Sequence, residues 1–400
     1  MRILHYLSEI TLVHGGVVRS VLDISKGLAA RGHDVTLLSF DDTSVPPEWK
    51  GAPADGRPQA IRLNWPRYPK PVRKFAPLDL ALAADHIRTS DVLHLHGPWE
   101  STNVQLAVVA RRLGKPYIVS THGMLDDWCM AQGGFKKRLF LRMWSRAMLE
   151  GAARVLCTAQ GEKEQAGKWF PRAIDRCEVL PLPFDLDSFT NLPGPEPARS
   201  AFEAARTDGP IVLFLSRLHP KKGVELLIDA CAILKREPSR DGAGRRFRLV
   251  IAGSGDPAYE QALKTRAIDS GLSDRAYFVG MVAGIEKISL FERADVSVLP
   301  TSQENWGFVL LESLAAGTPV VTTKGVDIWP ELQNTGGSVI VDPTPQAIAK
   351  AVGALLDDSK RVEAMGEAGR AAVLEWLKPD RVLGEYERVY RDVSGATRMP

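Results

Sequence analysis

Short runs of aliphatic and β-branched residues alternate along the chain with longer segments whose apolar positions recur every three to four residues. In the first half, Arg2–Leu7, Asp34–Phe40, Val92–His96 and Tyr117–Thr121 read as short buried strands. Gly15–Arg31 places Val17, Val21, Ile24 and Leu28 on one face and reads as a helix, as does the segment near Asn103–Leu113. The pattern restarts at Pro210. Ile211–Ser216, Arg248–Ala252, Ala276–Val279, Val296–Pro300 and Val320–Thr323 are strand-like, with helical segments at Gly223–Lys235 and Ala258–Ser270. Strand and helix in strict alternation predict an α/β fold with parallel, doubly wound sheets, here two in tandem.

Breakers divide the pattern. Asp41–Pro77 is rich in Pro, Gly and charge and reads as an irregular excursion, with an edge strand at Ala60–Leu63. Pro181–Pro197 holds five prolines and is the best linker candidate, and Ser239–Arg246 is a hydrophilic loop ahead of a strand. The expected organisation is an N-terminal domain over 1–185, a linker over 186–209, a C-terminal domain over 210–378 and a terminal helical segment over 379–400. In that segment Val382, Tyr386, Val389 and Tyr390 share one side.

Composition narrows the functional classes. Four hundred residues suit two domains, and 44% hydrophobic with 25% charged residues is ordinary for a globular protein. A net charge of +3 implies no bulk affinity for nucleic acid. Four dispersed cysteines, without a CxxC pair, argue against a disulfide framework or a cysteine metal site and for a reducing compartment. The N-terminus enters a strand with no signal-peptide pattern, and no window approaches a membrane span. The expected location is cytoplasmic, with peripheral contact at the inner face of the membrane left open. Phe135–Met148 motivates that exception. Phe135, Leu139, Met143 and Trp144 form an apolar side among Lys136, Lys137, Arg138, Arg142 and Arg146, which suits either an anionic membrane surface or a core-packed helix with a solvated basic face. Arg67–Lys74 adds a second basic patch.

The richest segment is Thr301–Val321, TSQENWGFVLLESLAAGTPVV. It reads as a polar turn after a strand, a helix, then a turn into the next strand. Glu304 falls in the turn, at the end of a parallel strand where ligands bind, and Glu312 about two turns into the expected helix. Helix N-terminal amides near Trp306–Leu310, with Gly307 beside them, would suit a phosphate or pyrophosphate. Carboxylates on each side would accept hydrogen bonds from hydroxyl groups. Alone, both glutamates would read as solvated surface residues. Ser216–Gly223, SRLHPKKG, also joins a strand to a helix, and Arg217 and Lys222 could converge on the same diphosphate. No Asp-x-Asp pair is suited to hold a divalent cation near it. His14–Gly16, Gly253–Asp256 and His96 and His122 each follow a predicted strand.

Together these motifs strongly resemble the retaining glycosyltransferases of family 4, or group 1, of GT-B type. The paired glutamates around an aromatic–glycine turn, the Ala-rich helix and the Gly-x-Pro-Val that follows match that signature, with Trp306 where Phe is usual. The resemblance implies two Rossmann-like domains facing across a cleft and a last helix that returns to the N-terminal domain. It implies transfer of a hexosyl group from a nucleoside-diphosphate sugar to a hydroxyl acceptor, saccharide or lipid-linked, in exopolysaccharide, lipopolysaccharide or glycolipid assembly, without cofactor or metal. Arg217, Lys222, Glu304 and His122 take the catalytic positions. Glu312 would bind the ribose, and Gly307, Phe308, Val309, Leu310, Gly253, Gly280 and Met281 would line the donor site, with Gly15 and Gly16 on the acceptor side. One departure is Pro181–Asp185, PLPFD, where the family has Pro-Asn-Gly-Val-Asp. A GT-B nucleotide-sugar 2-epimerase and a non-catalytic nucleotide-sugar-binding protein are the alternatives.

Overall fold

The structure, a computed structural model, describes residues 1–12, 15–66, 72–206, 208–237 and 245–395. The chain forms two compact units, residues 1–184 with 377–400, and residues 185–376. The terminal helix, Pro379–Gly395, thus belongs to the first unit. The stretch expected as a linker, 186–209, is instead folded into the second. There Glu196–Ala201 packs on helix Gly284–Arg293, with the Ala198 N–H donating to Ser289 Oγ at 2.9 Å.

The first unit is built on strands β1 (Arg2–Tyr6), β2 (Asp34–Ser39), β3 (Gln59–Arg62), β4 (Val92–His96), β5 (Tyr117–Ser120), β6 (Arg154–Cys157) and β7 (Cys177–Val179). All pair in parallel, in the order β3-β2-β1-β4-β5-β6-β7. The second contains β8 (Ile211–Leu215), β9 (Arg248–Ala252), β10 (Ala276–Gly280), β11 (Val296–Leu299), β12 (Val320–Thr323) and β13 (Ser338–Val341). These also run parallel, in the order β10-β9-β8-β11-β12-β13. In each sheet the chain winds outward one way, then returns to wind the other way. Two switch points result, β1/β4 and β8/β11, where loops diverge and leave a crevice at the strand C-termini.

Helix Pro379–Gly395 is held by its apolar side, where Val382, Tyr386, Val389 and Tyr390 are buried. Its Glu387 takes Arg31 Nε at 2.8 Å and meets His33 Nε2 at 2.9 Å. Leu383 packs on Gly27 of helix Gly16–Ala30, where a larger side chain would collide with it. The basic stretch over residues 135–148 is not one regular helix. It comprises Gly134–Phe140, a π-helical turn Leu141–Ser145 and Arg146–Gly151. Phe140, Leu141, Met148 and Leu149 face the core, whereas Phe135, Leu139, Met143 and Trp144 are exposed.

Candidate active site

At the β8/β11 switch point the second unit brings together three groups that are distant in sequence. Arg217 follows β8 and is exposed, and Lys222 ends the 3-10 turn Pro220–Lys222 and is buried. Glu304, in the loop after β11, forms an ion pair with Lys222 Nζ. The backbone explains the meeting. The Lys221 carbonyl accepts the Ser302 N–H at 2.8 Å and the Thr301 hydroxyl at 3.0 Å, so the two loops are laced together. Gly223, at φ 72°, lies so close to Pro300 that a Cβ there would run into its carbonyl oxygen. On the far side the Glu304 N–H donates to the Gly325 carbonyl at 2.7 Å and its carbonyl accepts from Asp327 at 2.8 Å. Glu304 is therefore gripped from both sides by backbone, not by side-chain packing that a point mutation would loosen.

Burial is the largest influence on the Lys222 ammonium and, with Lys221 and Arg217 nearby, pushes it down to about 7. The Glu304 carboxylate pulls the other way, and an incoming anion would do the same. The site thus holds a desolvated cation whose charge an anionic ligand would complete.

The rest of the expected donor set divides. Helix Phe308–Ala315 starts at the N-cap Gly307, φ 61°, so Glu312 lies one turn into it, not two. Glu312 Oε1 accepts from Lys287 at 2.7 Å. The Leu310 N–H donates to the Gly307 carbonyl at 2.8 Å and is committed inside the helix. Phe308 and Val309, both half-buried, supply the remaining expected first-turn amides. Gly253 has a structural reason to be glycine, since a Cβ would strike the Ser216 carbonyl where the loops after β8 and β9 pass. Its N–H donates to the Gly280 carbonyl at 2.7 Å, and Met281 beyond is exposed.

In the first unit, Gly15 is the exposed N-cap of helix Gly16–Ala30, and Gly16 is its first residue. His14 lies outside the described residues, as do 67–71 of the Arg67–Lys74 patch. His122 follows β5 at φ 52°, the one non-glycine with positive φ among the described residues. Sequence reasoning missed what holds it. The buried Glu162 carboxylate accepts the Thr121 hydroxyl at 2.6 Å, the Gly123 N–H at 2.5 Å and the Thr158 N–H and hydroxyl at 2.6 and 2.8 Å. Glu162 sits in helix Gln160–Ala166, after β6, whose Arg154 leaves only three apolar residues to read. Cys157 and Cys177, which look dispersed in sequence, lie with Sγ atoms 3.5 Å apart on neighbouring strands.

Comparison with known proteins decides the family. Residues 196–372 match the model for "Glycosyl transferases group 1", and residues 15–183 match that for "Glycosyl transferase 4-like domain". A GDP-mannose-dependent alpha-(1-6)-phosphatidylinositol monomannoside mannosyltransferase of Mycolicibacterium smegmatis is 30% identical over 90% of this chain and 91% of its own length. The chain belongs to the group 1 glycosyltransferases. The D-inositol 3-phosphate glycosyltransferase of Acidothermus cellulolyticus is 28% identical over 96% of this chain and 87% of its own. In fold, the glycosyltransferase resembles Anabaena Alr3699/HepE, solved in complex with UDP, with a TM-score of 0.77 over 98% of this chain and 100% of that one, at 17% identity. Both units thus have the Rossmann-like form of GT-B enzymes, and the protein transfers sugar from a nucleotide sugar.

Proposed function

We propose that the enzyme moves a hexosyl group from a nucleoside-diphosphate sugar to a hydroxyl acceptor with retention of anomeric configuration. The observation that carries this reading is the Lys222–Glu304 pair at the β8/β11 switch point, with Arg217 beside it. Lys222 and Arg217 bind the diphosphate and stabilise the charge that develops as it departs. The first-turn amides of helix Phe308–Ala315 add the positive end of its dipole. Glu304 accepts hydrogen bonds from donor-sugar hydroxyls. Glu312 keeps one oxygen on Lys287 and turns the other to the ribose. His122 and the Gly15–Gly16 turn serve the sugar and acceptor side. None of the carboxylates acts as a proton shuttle in this scheme; leaving-group oxygen takes the acceptor proton on the face from which the diphosphate leaves. With an α-configured donor, NMR of the product is expected to show an α linkage. A β linkage overturns retention.

A lipid-linked acceptor is favoured by a specific observation. Phe135, Leu139 and Met143, spaced four apart, are 81%, 46% and 54% exposed beside the exposed cations Lys136, Arg138 and Arg142. An apolar ridge flanked by cations suits the headgroup boundary of an anionic bilayer. No helix among the described residues is long and apolar enough to cross a membrane, so contact would be peripheral. The protein is expected to float with phosphatidylglycerol vesicles at low salt and to lose that binding in Phe135→Ser/Leu139→Ser. Failure to float at low salt removes the membrane reading and leaves a soluble saccharide acceptor.

A further inference from the structure

The inward face of the first sheet carries histidines where aliphatic residues would be expected. His5 of β1 is the register partner of His94 of β4, and His96 follows two residues on. All three are buried, as is His122 beyond the end of β5. Their ring nitrogens are not independent. His5 Nδ1 lies 3.0 Å from His96 Nε2, and His96 Nδ1 lies 3.0 Å from His122 Nε2. The two end nitrogens, His5 Nε2 and His122 Nδ1, are buried with no hydrogen-bond partner. His94 stands apart, with Nδ1 at 2.7 Å from the Tyr390 hydroxyl and Nε2 at 2.7 Å from Ser120 Oγ.

We propose that His5, His96 and His122 form one hydrogen-bonded imidazole chain, in which His5, deep in the sheet, sets the tautomer of His122 and so acts as a positioning residue for it. A neutral imidazole has one N–H and one lone pair. Two internal bonds among three rings therefore allow only two arrangements, with every proton on Nδ1 or every proton on Nε2. The second leaves the orphan N–H on His5 Nε2, buried within β1. The first leaves a lone pair there and places the orphan N–H on His122 Nδ1, also buried, but in the loop after β5. That end can be satisfied by an oxygen atom of a ligand, a consequence that rests on the proposed role of His122 at the sugar and acceptor side. An ordinary solvated histidine offers no such fixed choice.

The surroundings keep the rings neutral, as the chain requires, since an imidazolium would put donors at both nitrogens. Burial pushes His5 down to about 3 and His122 to about 4, and lowers His96 well below its usual range. The titratable groups that face the chain are His94 of β4, Tyr390 of helix Pro379–Gly395 and Glu162 of helix Gln160–Ala166. Glu162 alone opposes neutrality at His122, and its oxygens are engaged by the Thr121, Gly123 and Thr158 donors. Nitrogens of His5, His94 and His96 lie within 4.8 Å of one another, close enough for a cation. Binding one would break bonds that already engage both His94 and both His96 nitrogens.

The test is nitrogen NMR of the full-length protein labelled at histidine. Expected are couplings across the His5–His96 and His96–His122 hydrogen bonds, with all three rings in the Nδ1–H form from about pH 5.5 to 8, a range in which an unperturbed imidazole titrates. His5→Phe should convert part of the His122 population to the Nε2–H form without altering nucleotide affinity. Titration of His122 near its unperturbed value, an unchanged His122 tautomer in folded His5→Phe, or an equivalent of tightly held metal would each overturn the proposal. Should His5→Phe not fold, the couplings in the native protein decide alone. Donor and acceptor are then added to the native protein. Couplings that are present while His122 signals stay unmoved by either substrate support the chain and refute the sugar-side role of His122, so the two readings fail separately.

Discussion

Lys222→Ala is expected to lower kcat/KM for the nucleotide sugar by about 10²–10³-fold, the range for removing one preorganised charge-stabilising group from an active site. Lys222 is buried, so its ammonium meets the diphosphate in a medium of low dielectric constant, and the Ser302–Lys221 bond holds it there before any ligand arrives. Glu304→Ala should cost a similar factor, through lost hydrogen bonds to the sugar and a less well-placed Lys222. Because the two touch, the double variant should fall well short of the product of the single effects. The pH profile supplies a further check. With Lys222 pushed down to about 7, the ammonium is intact below that pH and is lost above it, so kcat/KM in the native enzyme should decline on the alkaline side. A bound diphosphate favours the charged form, which moves the same limb of kcat to higher pH. Lys222→Arg, which stays charged, should lose the limb whatever its absolute rate. Full activity in both alanine variants, with native circular dichroism, sinks the site assignment.

Glu162→Ala is expected to destabilise the first unit by about 3–5 kcal/mol. The carboxylate accepts four hydrogen bonds from Thr121, Gly123 and Thr158 while fully buried. Each donor left buried without a partner costs about 1–3 kcal/mol, partly relieved if water enters the space. The loop it holds includes His122 at φ 52°, a conformation that costs energy unless its surroundings enforce it. Urea unfolding measures the loss. A change below about 0.5 kcal/mol, the ordinary effect of a surface substitution, would show that the four bonds are not retained in solution. In variants that remain folded, transfer should fall more than nucleotide affinity, because the Lys222–Glu304 site lies in the other unit.

Most of the strands were legible because a parallel strand covered on both faces is mostly apolar, and Val92–His96 and Arg248–Ala252 coincide with their observed limits. Those missed, β6, β7 and β13, have four, three and four residues and carry Arg154, Glu178 or Ser338. The linker reading failed because prolines stop regular structure without stopping packing, and residues 196–206 form short helices. In sequence the ridge Phe135–Leu139–Met143 suits either a membrane surface or the core, since periodicity reports which residues share a side and not what that side meets; the structure exposes it.

The chain by itself determined two parallel α/β sheets, the family, and the identity of Arg217, Lys222, Glu304 and Glu312 as candidate donor ligands, because these depend on local period and on motifs of contiguous residues. Tertiary structure alone decided that Lys222 and Glu304 form an ion pair, that Lys287 already occupies one oxygen of Glu312, and that Leu310 spends its amide inside the helix. It also decided that Glu162 holds the His122 loop and that His5 and His96 connect to His122. These relations join residues 25 to 91 positions apart, or depend on where a helix begins. Hydrogen bonding acts over about 3 Å, and only the folded backbone, winding to a switch point in each sheet, brings such partners within that distance.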